Sequence, residues 1–353
     1  MSQPTYDARA IVLRKTKLGE SDLILTLLAE DGSQMRAVAK GARKPASSFA
    51  ARLELYSVVD LLVARGRSLD IVKEARLVES NERLRRDIEH AAGAAPMAEL
   101  LDRVTQMGLE NPRLFALTRT ALSSLGRVDP AQVPAVCAAH LLKTLAFAGL
   151  RPSLDACVSC GRDVEAVPES GLMALSYQEG GAVCAACRSS VETVLVPAST
   201  VAWCRALLSS TFAEIEILEA DPSAAFSVLR FCQQWVSEHV GANLKSLNFL
   251  FTCGLFMKDA GGTREEEERG MYRYTPRGVC SRAIDIDLDG DKVARVEFVG
   301  GCDGNLKAVS RLIEGMTVED VAAALEGNTC GRRATSCADQ LVKGLREARQ
   351  AAV

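Results

Sequence analysis

Hydrophobic and polar positions follow three regimes along the chain. Up to about residue 80, short apolar runs alternate with polar residues and are broken by turn formers, the pattern of strands. The runs are Asp7–Lys15, Ser21–Leu28, Met35–Lys40, Leu55–Arg65 and Asp70–Val78, with turns at Lys17-Leu-Gly-Glu20, Asp31-Gly32 and Gly66-Arg67-Ser68. Five strands with no helix between them predict a small closed barrel, and the OB-fold is the commonest five-stranded form. From Asn81 to about Gly149 the apolar spacing lengthens to three and four residues, which predicts helices. Asn111-Pro112 and Asp129-Pro130 read as capped helix starts, and Val133–Gly149 as a core helix in which His140 is structural. Ser199–Leu208 and Pro222–Val240 resume the helical spacing, with Trp203, Phe231 and Trp235 expected in the core.

A charge block flanked by glycines interrupts this pattern before a third regime begins. Ala283–Leu288 and Lys292–Val299 alternate around Asp289-Gly290, a hairpin signal. Leu306–Ile313 and Val318–Leu325 read as helices, and Thr335-Ser336 should cap a last helix running to Arg349. The fold class is therefore multi-domain α+β. Residues 1–80 form a five-stranded OB-fold barrel and 81–257 an α-helical domain with an inserted cysteine module at 153–190. Residues 258–270 are a linker and 271–353 a small α+β domain.

The inserted module carries the sharpest chemical signal. Cys157-Val-Ser-Cys160 is answered by Cys184-Ala-Ala-Cys187, two Cys-x-x-Cys knuckles that together supply four thiolates for a tetrahedral zinc site. Gly161 and Gly180-Gly181 provide turns, and Gly171–Ser176 reads as the short strand of a zinc ribbon. All four donors are sulfur and no histidine lies near, so no coordination position is left open for catalysis. The expected zinc is structural. Buried thiols or two disulfides are the other reading, and disulfides do not suit an intracellular chain.

The 353 residues carry a formal charge of −3, with 48% hydrophobic and 25% charged residues, a balance that fits two or three ordinary domains. There is no basic segment leading into an apolar run at the start and no uncharged apolar stretch of about 18 residues. A cytoplasmic, nucleoid-associated protein with no membrane contact is expected. The charge is unevenly spread: residues 1–52 hold nine Lys or Arg against five Asp or Glu, a balance of +4, whereas residues 258–353 hold fifteen against seventeen. The basic end is the place to expect nucleic acid. Its candidate contacts are Arg14, Lys15, Lys17, Arg36, Lys40, Arg43 and Lys44 for phosphates, with Phe49 to stack on a base.

The tail has its own cysteines, Cys280, Cys302, Cys330 and Cys337, without a Cys-x-x-Cys pair. Cys302 precedes one predicted helix and Cys337 follows a cap, positions where a helix dipole favours thiolate. A second metal site, redox thiols and ordinary buried cysteines are the open readings. Asp285, Asp287 and Asp289 resemble a nuclease cluster, but alternation puts them on the exposed face of a strand.

Two resemblances sharpen these expectations. Residues 1 to about 257 resemble the bacterial RecO family in Ala10-Ile-Val-Leu13, Gly19-Glu-Ser-Asp22, Ala39-Lys-Gly-Ala-Arg-Lys44 with Phe49, and Leu53. Leu145-x-x-x-Gly149-Leu-x-Pro152 before the four cysteines, Leu244-Lys-Ser-Leu247 and Phe249-Leu250 complete the match. The resemblance implies an OB-fold that binds single- and double-stranded DNA, a helical domain, and a zinc module that some members lack. It implies a non-enzymatic role: annealing complementary strands and, with RecR, helping RecA displace single-strand DNA-binding protein, whose C-terminal tail docks on the helical domain.

The tail resembles the TSCPD domain in Tyr274-Thr-Pro-x-Gly278-Val-Cys280-Ser281, Gly300-Gly-Cys302-x-Gly304-Asn-Leu-Lys307, Cys330-Gly331 and Thr335-Ser-Cys337-Ala-Asp-Gln-Leu341. Ala338 stands where that family has proline. The match favours a four-cysteine metal site over free thiols. Two alternatives stay open: a DNA-binding zinc protein whose tail adds an enzymatic or redox activity, and a scaffold that binds only protein.

Overall fold

A computed structural model describes residues 4–164, 171–218, 222–256, 272–300, 303–330 and 333–351. It divides into two compact units, Met1–Lys258 and Asp259–Val353. The first begins with β1 (Thr5–Leu18), β2 (Asp22–Ala29), β3 (Gln34–Ala39), β4 (Val58–Ala64) and β5 (Asp70–Glu79). They close a barrel in the order β1-β2-β3-β5-β4, with β3 and β5 parallel and the other pairs antiparallel, as in an OB-fold. Alternation fills it: Ala10, Val12, Leu25, Leu27, Ala37, Ala39, Val59, Leu61 and Val63 point inward and are buried. Each buried leucine contributes roughly 1.5–3 kcal/mol relative to an exposed one. The opposite faces of β1 and β2 are apolar as well, and Ile11, Leu13 and Leu28 join the core of the helices that follow.

Those helices are α1 (Arg83–Arg86), α2 (Ile88–Val104), α3 (Pro112–Leu125), α4 (Val133–Phe147), α5 (Ala198–Ser209), α6 (Phe212–Glu216), α7 (Pro222–Val240) and α8 (Lys245–Thr252). The centre is α4, where Val136, Cys137, Ala139, Leu141, Leu142 and Leu145 are wholly buried. His140 is wholly buried too, its Nε2 3.1 Å from Thr118 Oγ1. Burial pushes its pKa down to about 3, so it stays neutral. Pro112 and Pro130 do open helical turns, but neither Asn111 nor Asp129 caps with its side chain. The Asn111 Nδ2 instead donates to the Phe147 carbonyl at 2.9 Å, a tertiary bond taken in place of the local one. Phe231 and Trp235 are buried and stack at 5.3 Å, while Trp203 is half-buried against the same core.

Between α4 and α5 the chain makes a sheet in the order β7-β6-β8, from β6 (Leu172–Ser176), β7 (Gly181–Ala182) and β8 (Val194–Pro197). The second unit contains β9 (Tyr272–Tyr274), β10 (Ser281–Asp289) and β11 (Lys292–Gly300) in the order β11-β10-β9, followed by α9 (Asp303–Ile313), α10 (Val318–Leu325) and α11 (Cys337–Ala351). Asp289 ends β10 and pairs with Lys292, so the hairpin forms but its two-residue turn is Gly290-Asp291, one residue beyond the predicted Asp289-Gly290. Helix α11 lies close on the sheet. A methyl at Gly344 would stand 2.8 Å from Ile286 Cδ1 and 2.9 Å from the Tyr274 ring, so glycine is what permits the approach. No helix among the described residues is long and apolar enough to cross a membrane.

Candidate metal centre and nucleic-acid interface

The two knuckles meet. The sulfurs of Cys157, Cys160, Cys184 and Cys187 all lie within 4.8 Å of one another, and Cys160 and Cys184 are 3.7 Å apart. Tight turns aim them: the Gly161 N–H donates to the Cys157 carbonyl at 2.8 Å and the Cys187 N–H to the Cys184 carbonyl at 3.1 Å. The Val158 N–H donates to the Ala182 carbonyl at 2.9 Å, tying the first knuckle to β7. At Gly181 the Ser153 backbone passes so close that a methyl would stand 2.1 Å from its carbonyl oxygen. Backbone N–H groups of Cys184, Cys160 and Ser159 lower the Cys157 thiol to about 6 against the cost of burial. The Cys187 thiol is pushed up to about 12 by hydrogen bonding to Cys160 and Cys184. Four thiols this close cannot all ionise unaided, whereas a cation between them would take four thiolates. The cluster could hold a metal ion.

The module is anchored in the helical core. Leu154, Met173, Leu175 and Ala182 belong to that core, and Tyr177 rests on Phe231 and Trp235 at 5.7 and 6.0 Å. Trp235 Nε1 donates to the Leu150 carbonyl at 2.9 Å, and Arg205 pairs with Asp155 at 2.8 Å.

At one end of the barrel, the run Gly19–Asp22 is stitched to the run Lys40–Lys44. Asp22 Oδ1 accepts from the Gly41 N–H at 2.8 Å and from Ser21 Oγ at 2.9 Å, bonds that hold its carboxyl below the usual range. Arg43 Nη1 donates to the Gly19 and Glu20 carbonyls at 3.0 and 2.9 Å, and its N–H to the Ser21 carbonyl at 2.9 Å. Lys17, Lys40 and Lys44 are exposed at this end, and no salt bridge engages them among the described residues.

The other predicted cations are differently placed. A bulge shifts the β1–β2 register between Val12 and Arg14. Arg14 therefore stands opposite Thr26, itself opposite Arg36, on the face turned toward α2, and pairs with Asp102 at 3.1 Å. Lys15 stands opposite Leu25 on the other face and pairs with Glu54 at 2.7 Å. Phe49 is half-buried against the barrel core and lines a groove of about 710 Å³ with Arg9, Arg52, Lys73 and Arg76. In that groove Asp60 holds both Arg9 and Arg76, each at 2.8 Å, and Arg9 first and then Arg76 lower its carboxyl to about 2. Arg52 and Lys73 were missed as groove residues from sequence. Lys73 sits at the register shift opposite Leu62 and Val63, next to buried Val72.

The tail cysteines do not form a comparable set. Among the described residues, the four central cysteines are the one group of three or more metal-ligating side chains within 4.8 Å. Cys280, Cys330 and Cys337 line one cavity without converging as ligands, and Cys302 lies outside the described residues. Of the three aspartates predicted on the exposed face of the strand, only Asp289 is exposed; Asp285 and Asp287 are half-buried, and Asp285 is held by Arg273 at 2.7 and 2.9 Å.

Comparison with known proteins follows the same division. Residues 1–81 match the family described as Recombination protein O N terminal, 85–248 match Recombination protein O C terminal, and 257–349 match the TSCPD domain. The chain is 32% identical over 245 residues to the DNA repair protein RecO of Desulfitobacterium hafniense, covering 68% of this chain and 87% of that one. It is 33% identical over 256 residues to the DNA repair protein RecO of Cutibacterium acnes, covering 70% of this chain and 99% of that one. With the protein of the same name from Symbiobacterium thermophilum it shares 31% over 248 residues, covering 70% and 97%.

Proposed function

The chain belongs to the RecO family of DNA repair proteins and carries a TSCPD domain beyond it, and from that premise we propose that it is a non-enzymatic recombination mediator. It binds single- and double-stranded DNA through its barrel and anneals complementary strands. With RecR, it helps RecA load where single-strand DNA-binding protein has been, holding that protein's C-terminal tail on the helical domain. The observation that carries the reading is the stitched barrel end, where Lys17, Lys40 and Lys44 stand exposed. Bringing two polyanions together requires cations that displace counterions, and it requires no acid, base or nucleophile. Phe49, Arg52 and Lys73 offer a second strip, an aromatic edge flanked by cations, suited to an unpaired base.

The metal we assign to the central cluster is zinc. Zinc–sulfur bonds of about 2.3 Å in a tetrahedron place sulfurs about 3.8 Å apart, beside the 3.7 Å between Cys160 and Cys184. With four sulfur ligands it supplies folding energy to the module and through it to α4 and α7.

The test is salt-dependent binding to single-stranded DNA by the triple variant Lys17→Glu, Lys40→Glu, Lys44→Glu. The slope of log affinity against log salt should fall by about 2, near 0.7 per lost phosphate contact, with annealing slowed in parallel. An unchanged slope in a folded variant would remove this end of the barrel from the site. RecA filament growth on protein-coated single strands, with RecR present, tests the mediator role separately.

A further inference from the structure

The TSCPD unit contains a cavity of about 420 Å³ whose wall combines Cys280, Cys330 and Cys337 with Leu306, Val309 and Leu312. Most polar side chains of the run that ends at Gln340 are used by the fold. Ser336 Oγ accepts from the Asp339 N–H at 3.1 Å and caps α11, while Asp339 takes the Gly327 N–H at 2.8 Å and the Thr335 hydroxyl at 2.5 Å. Gln340 Oε1 accepts from the Arg277 N–H at 3.0 Å and from Tyr274 Oη at 3.1 Å. Cys337 instead lines the cavity.

The Cys337 sulfur is cradled by donors. Ser281 Oγ donates to it at 3.2 Å. Partial burial opposes ionisation, but the Ser281 hydroxyl and the N–H groups of Ser281, Cys280 and Cys337 outweigh it and bring the thiol below its usual 9.0. Cys280 immediately precedes Ser281, whose hydroxyl bonds the Cys337 sulfur, and both cysteines line the same cavity where β10 meets α11. The Cys280 sulfur is exposed and accepts from Arg333 Nη1 at 2.9 Å. Among the described residues the tail thiols do not gather as metal ligands do, yet Cys280 and Cys337 share one cavity wall and each sulfur accepts from its own donor.

From this arrangement we infer that Cys337 and Cys280 are a reactive thiol pair, which a small hydroperoxide converts into a disulfide linking α11 to the start of β10. The Cys337 thiolate attacks the terminal peroxide oxygen: an S–O bond forms, the O–O bond breaks, and the departing oxide takes a proton to leave as water or an alcohol. The Cys280 sulfur then attacks the sulfenic sulfur. An S–S bond forms, the S–O bond breaks, and hydroxide leaves as water with the Cys280 proton. The pair loses two electrons and the peroxide gains them. The aliphatic wall suits a small, weakly polar oxidant. The inference is independent of the DNA-binding role.

The test uses the full metal-loaded chain treated with one equivalent of hydrogen peroxide, then mapped as peptides without reductant. A Cys280–Cys337 disulfide should form while Cys253 stays reduced. The Cys280→Ser variant should instead carry a sulfenic acid at Cys337 that dimedone traps. In the untreated wild-type chain, iodoacetamide at neutral pH should label Cys337 about tenfold faster than Cys253. Equal labelling of the two, or a disulfide from Cys337 to a cysteine other than Cys280, would overturn the assignment.

Discussion

The central cysteines and the tail cysteines are the same residue in opposite settings. In the centre, four sulfurs face each other, two from each of two tight turns, and the cluster could hold a metal ion. In the tail, Cys280 and Cys337 each have their own donor, Arg333 and Ser281, and share a cavity wall with Cys330. Sulfurs that face one another are placed to be ligands. Sulfurs that face donors and a hollow are placed, on our inference, to be reagents. The contrast teaches that cysteine count says less than whether the backbone turns the thiols toward each other or toward something else.

The strongest blow to this contrast would fall on the centre. Cys160→Ser should take metal content from about one ion per chain to near none, costing several kcal/mol and on the order of 10 °C in melting temperature. Soluble yield should fall with it, because the module is packed into the helical core. Wild-type metal content in that variant would end the ligand assignment. A chain cut back to residues 1–257 should keep its metal-to-chain ratio and anneal within about twofold of the full protein, as independent sites do. A ratio that drops by one ion would move the tail thiols from reagents to ligands.

A smaller effect should appear in the pH response of Cys337. Its folded pKa lies below the unfolded 9.0, so its contribution to stability is complete above 9.0 and is lost as pH falls through the folded value. Wild type and Cys337→Ser should therefore differ more in melting temperature at pH 9 than at pH 7. Labelling of Cys337 should reach half its limiting rate below pH 9.0, while Cys204, pushed up to about 12 by burial, stays unlabelled in the folded chain. The reverse order of pH dependence would erase the distinction between cradled and buried thiols.

Much of this was legible locally. Pro222–Val240 and Val318–Leu325 run between the residues that the helical spacing predicts, and the predicted hairpin forms with its turn one residue later, at Gly290-Asp291. The paired spacing of Cys157, Cys160, Cys184 and Cys187 was itself the site. What the sequence hid is tertiary. Arg14 finds Asp102 and Lys15 finds Glu54, and neither partner is local. Strict alternation would have put Arg14 on the face of Val12. The bulge sends it to the other, so a basic cluster in the sequence becomes separate faces in space. Asn111 carries a capping side chain by type, yet spends it on Phe147. The tail thiols carried no spacing signal, because their neighbours arrive from β10, α11 and the segment between α10 and α11.

The stitch between Asp22, Gly41 and Arg43 has a kinetic meaning as well. Loops that wander would have to be frozen each time a strand arrives, and that lost freedom is subtracted from affinity on every encounter. Here the freezing has been done during folding, by bonds to backbone rather than to nucleic acid. Lys17, Lys40 and Lys44 stand exposed on that stitched frame. In the annealing role proposed above, such a surface would let go of one strand and take another without refolding, which is the rhythm that matching two long polymers demands.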